Sequence, residues 1–227
     1  MPCCSPVVRS CLLAGLLLLG YPFAALADTR EELFKAAEID NESAIVSMVL
    51  KGLNVGAQDE RGQSALLIAA TEGSMNVALF LMKQPTVNVN ALNAKGESPL
   101  MMAALKGRLD MVRALIAAKA DVNKPGWTPL HYAASNSEPE SRAVVALLLE
   151  SYAYIDAESP NKTTPLMMAA HYGHADVVKL LLEEGADPNL RNEQGLTAAD
   201  FARGAERAEQ AALIESFLRT KPGDGRW

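Results

Sequence analysis

The 227-residue sequence is short of the groups from which most catalytic and metal sites are built. It holds three cysteines, Cys3, Cys4 and Cys11, and none after position 11. All three fall in an amino-terminal stretch that reads as an export leader. That stretch has one basic residue, Arg9, an almost wholly apolar run from Cys11 to Leu19, a break at Tyr21-Pro22 and the small-x-small site Ala25-Leu26-Ala27. The apolar part is shorter than the roughly 20 residues of a membrane span, and Gly20 and Pro22 interrupt it. Residues 1–27 are therefore expected to act as a signal peptide cleaved after Ala27. The product would be a periplasmic or secreted protein with no stable membrane insertion. Lacking any thiol, it would form no disulfide and perform no cysteine catalysis, so packing alone would have to hold it together.

Histidine is equally scarce, with three residues in the whole chain. His171 and His174 are spaced to share a metal on a continuous helix, but Gly173 lies between them and no third Cys or His ligand is near. The methionine pairs Met101-Met102 and Met167-Met168 suggest copper or a small ligand, and with the two histidines they define a carrier as the remotest alternative. Filling gaps between packed units is the simpler role for them. No Gly-x-Ser-x-Gly, phosphate loop or His-Glu-x-x-His pattern occurs, so neither catalysis nor a metal or cofactor is expected. Positive charge is also in deficit, 21 Lys and Arg against 27 Asp and Glu. Loss of Arg9 with the leader takes the net charge from −6 to −7, and no basic stripe is visible, which argues against nucleic acid.

What the sequence has in abundance is repetition. The phrases Ser64-Ala-Leu-Leu-Ile-Ala-Ala70, Ser98-Pro-Leu-Met-Met-Ala-Ala104, Thr128-Pro-Leu-His-Tyr-Ala-Ala134 and Thr164-Pro-Leu-Met-Met-Ala-Ala170 recur at nearly fixed intervals, and Thr197 to Ala202 is a weaker copy. Registered on Leu66, Leu100, Leu130, Leu166 and Ala199, the steps are 34, 30, 36 and 33 residues. Such a period means one supersecondary unit stacked on itself. Each phrase opens on a helix-capping Ser or Thr, and in three of them a proline stands at the first helical position, where its missing N–H costs nothing. A second apolar stretch follows, as in Val177, Val178, Leu181 and Leu182, so each unit reads as two helices. The alanine pairs are too small to fill a core and imply close approach of neighbouring helices. A bulky residue there would overpack the stack by roughly 1 to 3 kcal/mol.

Thr128 to Ala133 match the Thr-Pro-Leu-His-x-Ala phrase at every specified position, and on that ground the chain resembles the ankyrin-repeat family, in an exported bacterial form. The resemblance implies an all-α solenoid of helix-turn-helix units joined by β-hairpin loops, here at residues 53–63, 87–97, 121–127, 154–163 and 187–196. It implies that the His131 ring bonds between neighbouring units and that His174 is structural at a helix–helix turn. The repeat domain is expected over 28–219. It divides into a capping unit 29–61, repeats at about 62–95, 96–125, 126–161 and 162–194, and a second cap 195–219, with a frayed tail 220–227.

Two units depart from the pattern. The segment Asn123 to Gly126 is three residues shorter than its counterpart Asn189 to Gly195, which cuts one hairpin short. The segment Ala134 to Val144 is three residues longer than Ala170 to Val177, which lengthens the turn between two helices at Asn136 to Ser141. In the fourth hairpin Lys162 stands where the others have glycine, so Asn161 is expected to take the left-handed conformation.

With catalysis and cofactors set aside, the surface that a solenoid presents is what remains. The resemblance implies a concave protein-binding face at the hairpin tips and the two residues after each alanine pair. Its candidate residues are Leu92, Lys95, Leu105, Lys106, Trp127, Ser135, His171 and Tyr172. Of these, Leu105, Trp127 and Tyr172 are the expected anchors. The function implied is non-catalytic binding of another protein, with an accessory or protective role toward an exported enzyme as the alternative.

Overall fold

The structure is a computed structural model that describes residues 23–220, with side chains from 29 to 218. The expected leader therefore lies outside the described residues except for 23–27, and so does the tail from 221 onward. Twelve helices are described, and they alternate in role. The first helices of the units are α1 (Phe23–Glu38), α3 (Ala65–Glu72), α5 (Pro99–Leu105), α7 (Pro129–Ala134), α9 (Pro165–His171) and α11 (Ala198–Gly204). The second helices are α2 (Glu42–Leu50), α4 (Met75–Leu81), α6 (Leu109–Ala117), α8 (Ser141–Glu150), α10 (Ala175–Glu183) and α12 (Ala208–Thr220). Each first helix packs on the first helices before and after it and on its own partner, which makes a one-dimensional stack.

Local chemistry starts these helices. Ser64, Ser98, Thr128, Thr164 and Thr197 hold extended backbone and accept a hydrogen bond from the N–H three residues on. In all but the Ser64 unit, where that residue is Leu67, the side chain at the third position reaches back to the cap's own N–H, with different chemistry in different units. Met101 and Met167 accept through Sδ at 3.4 Å, His131 through Nδ1 at 3.2 Å and Asp200 through Oδ2 at 2.8 Å. These contacts give the sulfurs of Met101 and Met167, both about 1 % exposed, a structural task.

The core follows the repeat. Leu66, Leu100, Leu130 and Leu166 are at most 1 % exposed, and all eight paired alanines are fully buried. The second helices add Val77 with Leu81, Val112 with Leu115, Val145 with Leu148, and Val178 with Leu181. At the amino-terminal end Ile45 is buried, whereas Leu50, which the sequence places among the apolar positions of α2, is 83 % exposed at the helix end.

The connecting loops are hydrogen-bonded turns, and the described residues contain no strand, only one isolated antiparallel bridge between Gln58 and Ser64. Four loops close in the same way. Asp59, Asn93, Ser159 and Asn192 each donate N–H to the carbonyl four residues on and accept from the left-handed residue three on. The left-handed positions are Gly62, Gly96, Lys162 and Gly195, so Lys162 (φ +58°) adopts this conformation itself and Asn161 does not. The Asn161 side chain accepts from Ser159 Oγ at 2.5 Å instead, and that ties it into the turn. The loop at 121–127 has no such closure: its shortening removes the residue equivalent to Asn93, whose Oδ1 organises the turn by accepting from the N–H groups of Lys95 and Glu97.

The 34-residue step between Leu66 and Leu100 also has a physical cause. One extra residue after α4, in the Gln84 to Val87 segment, brings the carbonyl of Thr86 against Gly56, where a β-carbon would lie 1.9 Å from the oxygen. Gly56 stands where later units carry Asn90, Asn123 and Asp156. Those three side chains cross the unit boundary and accept from the backbone N–H of Asp121, Tyr154 and Asp187 at 2.8 to 3.1 Å.

Candidate interaction surface

Two positions beyond each repeat leucine stand Ile68, Met102, Tyr132, Met168 and Phe201, and every one of them is half-buried. Together they form a large apolar row along the stacked first helices. At its centre lies an open hollow of about 210 Å³ lined by Leu105, Trp127, Tyr132, Ser135 and Met168. Helices α5, α7 and α9 supply the floor, and Trp127 at the base of the shortened loop supplies a wall.

The hollow is held in shape from behind. The His131 ring is fully buried: Nε2 bonds the carbonyl of Thr163 in the next unit at 2.9 Å, and Nδ1 meets the Thr128 hydroxyl at 2.8 Å. Burial depresses its pKa to about 4, so the imidazole is neutral and donates from Nε2. Trp127 packs edge-on against that ring, with centroids 5.3 Å apart. The Tyr132 hydroxyl donates to Glu97 at 3.3 Å, and burial together with this carboxylate pushes its pKa up to about 12.

The residues proposed from sequence fall into three groups. Leu105, Trp127 and Ser135 line the hollow, and the Ser135 hydroxyl donates to the carbonyl of Tyr132. Leu92, Lys95 and Lys106 are exposed beside it, on the second loop and at the end of α5. His171 and Tyr172 sit one unit further on, where the two rings meet at 4.1 Å and His171 also faces the edge of Phe201. Tyr172 is half-exposed and caps α9. Tyr132 is not among the sequence candidates and Met168 reads there only as half of a methionine pair, although their apolar character at one fixed register is the available signal.

The His171–His174 pair is not assembled for a metal. His174 caps α10 by accepting from the N–H of Asp176 at 3.2 Å, while the His171 ring packs among aromatics. Among the described residues no group of three or more His, Cys, Asp or Glu could hold a metal, and no helix is long and apolar enough to cross a membrane.

Comparison with known proteins agrees with this geometry. A family model described as ankyrin repeats (3 copies) matches residues 33–125, 74–159, 119–192 and 143–207. The nuclear factor NF-kappa-B p105 subunit of Gallus gallus is 33 % identical over 164 residues, covering 69 % of this chain and 16 % of that protein. The transient receptor potential cation channel subfamily A member 1 of Homo sapiens is 28 % identical over 198 residues, covering 82 % of this chain and 17 % of the channel. The chain thus spans about a sixth of the length of these relatives. Among solved structures, a chain in the complex of the Bd0816 predatory endopeptidase from Bdellovibrio bacteriovorus with immunity protein Bd3460 superposes with a TM-score of 0.68 at 29 % identity. That match covers 81 % of this chain and 96 % of the other.

Proposed function

The chain belongs to the ankyrin-repeat family, and from that membership we propose that it is a non-catalytic protein-binding module acting outside the cytoplasm. Ankyrin repeats imply a protein–protein interaction module in general terms. The observation that carries the reading here is the half-buried apolar row and its central hollow. Apolar side chains left partly open on an otherwise well-packed stack gain from being covered, and large ones such as Trp127, Tyr132 and Met168 are the kind that dominate interface energies. Extracytoplasmic action is supported by the apolar leader ending in Ala25-Leu26-Ala27, and the intact mass of the exported form tests it: a species retaining Cys11 would refute it.

A second reading is favoured by one finding, the likeness to a chain in a complex of an endopeptidase with an immunity protein. On it, the partner is an exported hydrolytic enzyme whose activity this chain holds in check. A photo-reactive residue at Tyr132 or Met168 is expected to cross-link the native partner, whereas the same residue at Lys179 on α10 is not. If Lys179 cross-links and the concave positions do not, the binding face is misassigned. The recovered partner, assayed with and without the chain, then separates simple binding from inhibition.

A further inference from the structure

The loops of the stack are bonded to one another in pairs. The N–H of Ala94 donates to the carbonyl of Arg61 at 2.8 Å, and the N–H of Glu193 donates to the carbonyl of Asn161 at 3.1 Å. Neither bond has a counterpart on the two sides of the third loop. On one side the donor position is Lys124, whose N–H makes no such bond in the shortened loop, which leaves the carbonyl of Lys95 without a loop partner among the described residues. On the other side the donor position is Pro160, which has no N–H, and the carbonyl of Pro125 takes a bond from Lys124 Nζ at 3.2 Å instead. The row of loops therefore has a gap at its centre, and the hollow walled by Trp127 opens beside it.

Charge marks the same place. The chain is acidic overall, yet Lys95, Lys124 and Lys162 stand on the second, third and fourth loops, and Lys106 follows Leu105 at the end of α5. None of the four forms an ion pair among the described residues. The nearest acid in sequence to Lys95, Glu97, is already engaged by the Asn93 amide at 2.7 Å and by the Tyr132 hydroxyl.

We propose that the shortened third loop forms a docking notch for an acidic loop of a partner protein, which places one large apolar side chain at its apex into the hollow. The four lysines supply the complementary charge, and the Lys95 carbonyl is placed to accept an N–H from the entering backbone. A hollow of about 210 Å³ is ample for such a side chain, since an apolar cavity of about 150 Å³ already admits a benzene ring. This proposal rests on the concave-face reading and names the partner's chemistry at that site.

The test is selection of a random loop library, displayed on a rigid scaffold, against the full-length chain. Enriched loops are expected to be acidic with an apolar apex, and to bind about tenfold more weakly or worse after Ala-Leu-Asn is inserted following Asn123. The paired reversal Lys95→Glu with Lys124→Glu should weaken them similarly, and it serves alone if the insertion variant does not fold. Lys179→Glu should leave binding unchanged. No enrichment, or enrichment of neutral or basic loops, overturns the proposal. Loops that are lost on Tyr132→Ala and Met168→Ala but indifferent to both notch variants sink the notch and leave the concave reading standing. Loops indifferent to all of these sink both. Lysine-dependent binding of phosphatidylserine vesicles or single-stranded DNA in place of any loop would also overturn the assignment to a protein partner.

Discussion

The fourth and fifth units, counted from the amino-terminal cap, make an instructive pair, because fidelity to the repeat motif and regularity of structure part company between them. The fourth unit carries the complete phrase Thr128-Pro-Leu-His, with its imidazole tying two units together at 2.9 Å, yet the loop leading into α7 is unclosed and lacks the tip-to-tip backbone bond to either neighbour, keeping only the Asn90 and Asn123 side-chain contacts at its base. The fifth carries methionine in place of histidine, and the loop that follows α10 is closed by Asn192 and bonded to the loop before it. Helix caps are settled within six residues of chain, whereas loop pairing needs matching lengths in two units at once. A deletion can therefore damage one and spare the other.

The comparison breaks hardest at the glycines. A β-carbon on Gly173 would lie 2.2 Å from the carbonyl oxygen of Ala134, a backbone atom of another unit that cannot step aside, so Gly173→Ala should cost upwards of about 3 kcal/mol. Gly195 faces open space, and Gly195→Ala should cost only about 1 kcal/mol for its left-handed backbone (φ +76°). Urea melts followed by circular dichroism check both. Equal losses would mean that close approach between units is not what Gly173 provides.

Acid sharpens the contrast next. His131 has a folded pKa of about 4 against an ordinary 6.5, so the folded state resists protonation while the unfolded state accepts it. Stability tied to this ring is complete above pH 6.5, falls as the pH drops toward 4, and changes no further below that, with a total of order 2 to 3 kcal/mol. Asp200, held near 2 by the backbone and hydroxyl of Thr197 and by Arg203, behaves in the same sense in a lower window: its contribution is present above about 3.8 and is lost as pH falls through 2. His131→Leu should abolish the upper window and leave the lower one, as read in melts across pH.

The same position in the two units then separates polar from apolar roles. His131→Leu strands the Thr163 carbonyl and the Thr128 N–H and should cost about 2 kcal/mol, whereas Met167→Leu conserves volume and should cost less than about 1.5. A reversed order in chemical denaturation would refute the assigned role of the ring. The smallest effect lies in the loops, where amide exchange should be slowed at Ala94 and Glu193, whose N–H groups are bonded across units, and fast at Lys124.

Much of this architecture is legible in the sequence because its signals are local. The caps at Ser98, Thr128 and Thr164, the prolines behind them and the buried alanine pairs all follow from chain spacing. What escaped depends on a neighbour. Lys162 adopts left-handed backbone because the turn from Ser159 demands it, and Gly56 is glycine because of a carbonyl 30 residues away. The site divides likewise. Leu105, Trp127 and Ser135 lie at positions that the repeat marks as open, while Tyr132 and Met168 look like helix interior in the sequence and are left half-covered in the stack.

The bonds that Asn90, Asn123 and Asp156 make to the next unit join a specific side chain to an unspecific backbone N–H. The accepting residue is constrained to an amide or carboxylate of one length, but the donating residue contributes only what nearly every amino acid has. For these bonds positions 121, 154 and 187 need supply only a backbone N–H, and they are occupied by Asp, Tyr and Asp: the Asp187 carboxylate turns back to accept from the backbone and side-chain amides of Asn189, whereas the tyrosine is 69 % exposed. A stack fastened in this way can exchange the side chains at positions 121 and 154 without losing these bonds, which leaves the chemistry of that edge open to change while the fastening stays the same.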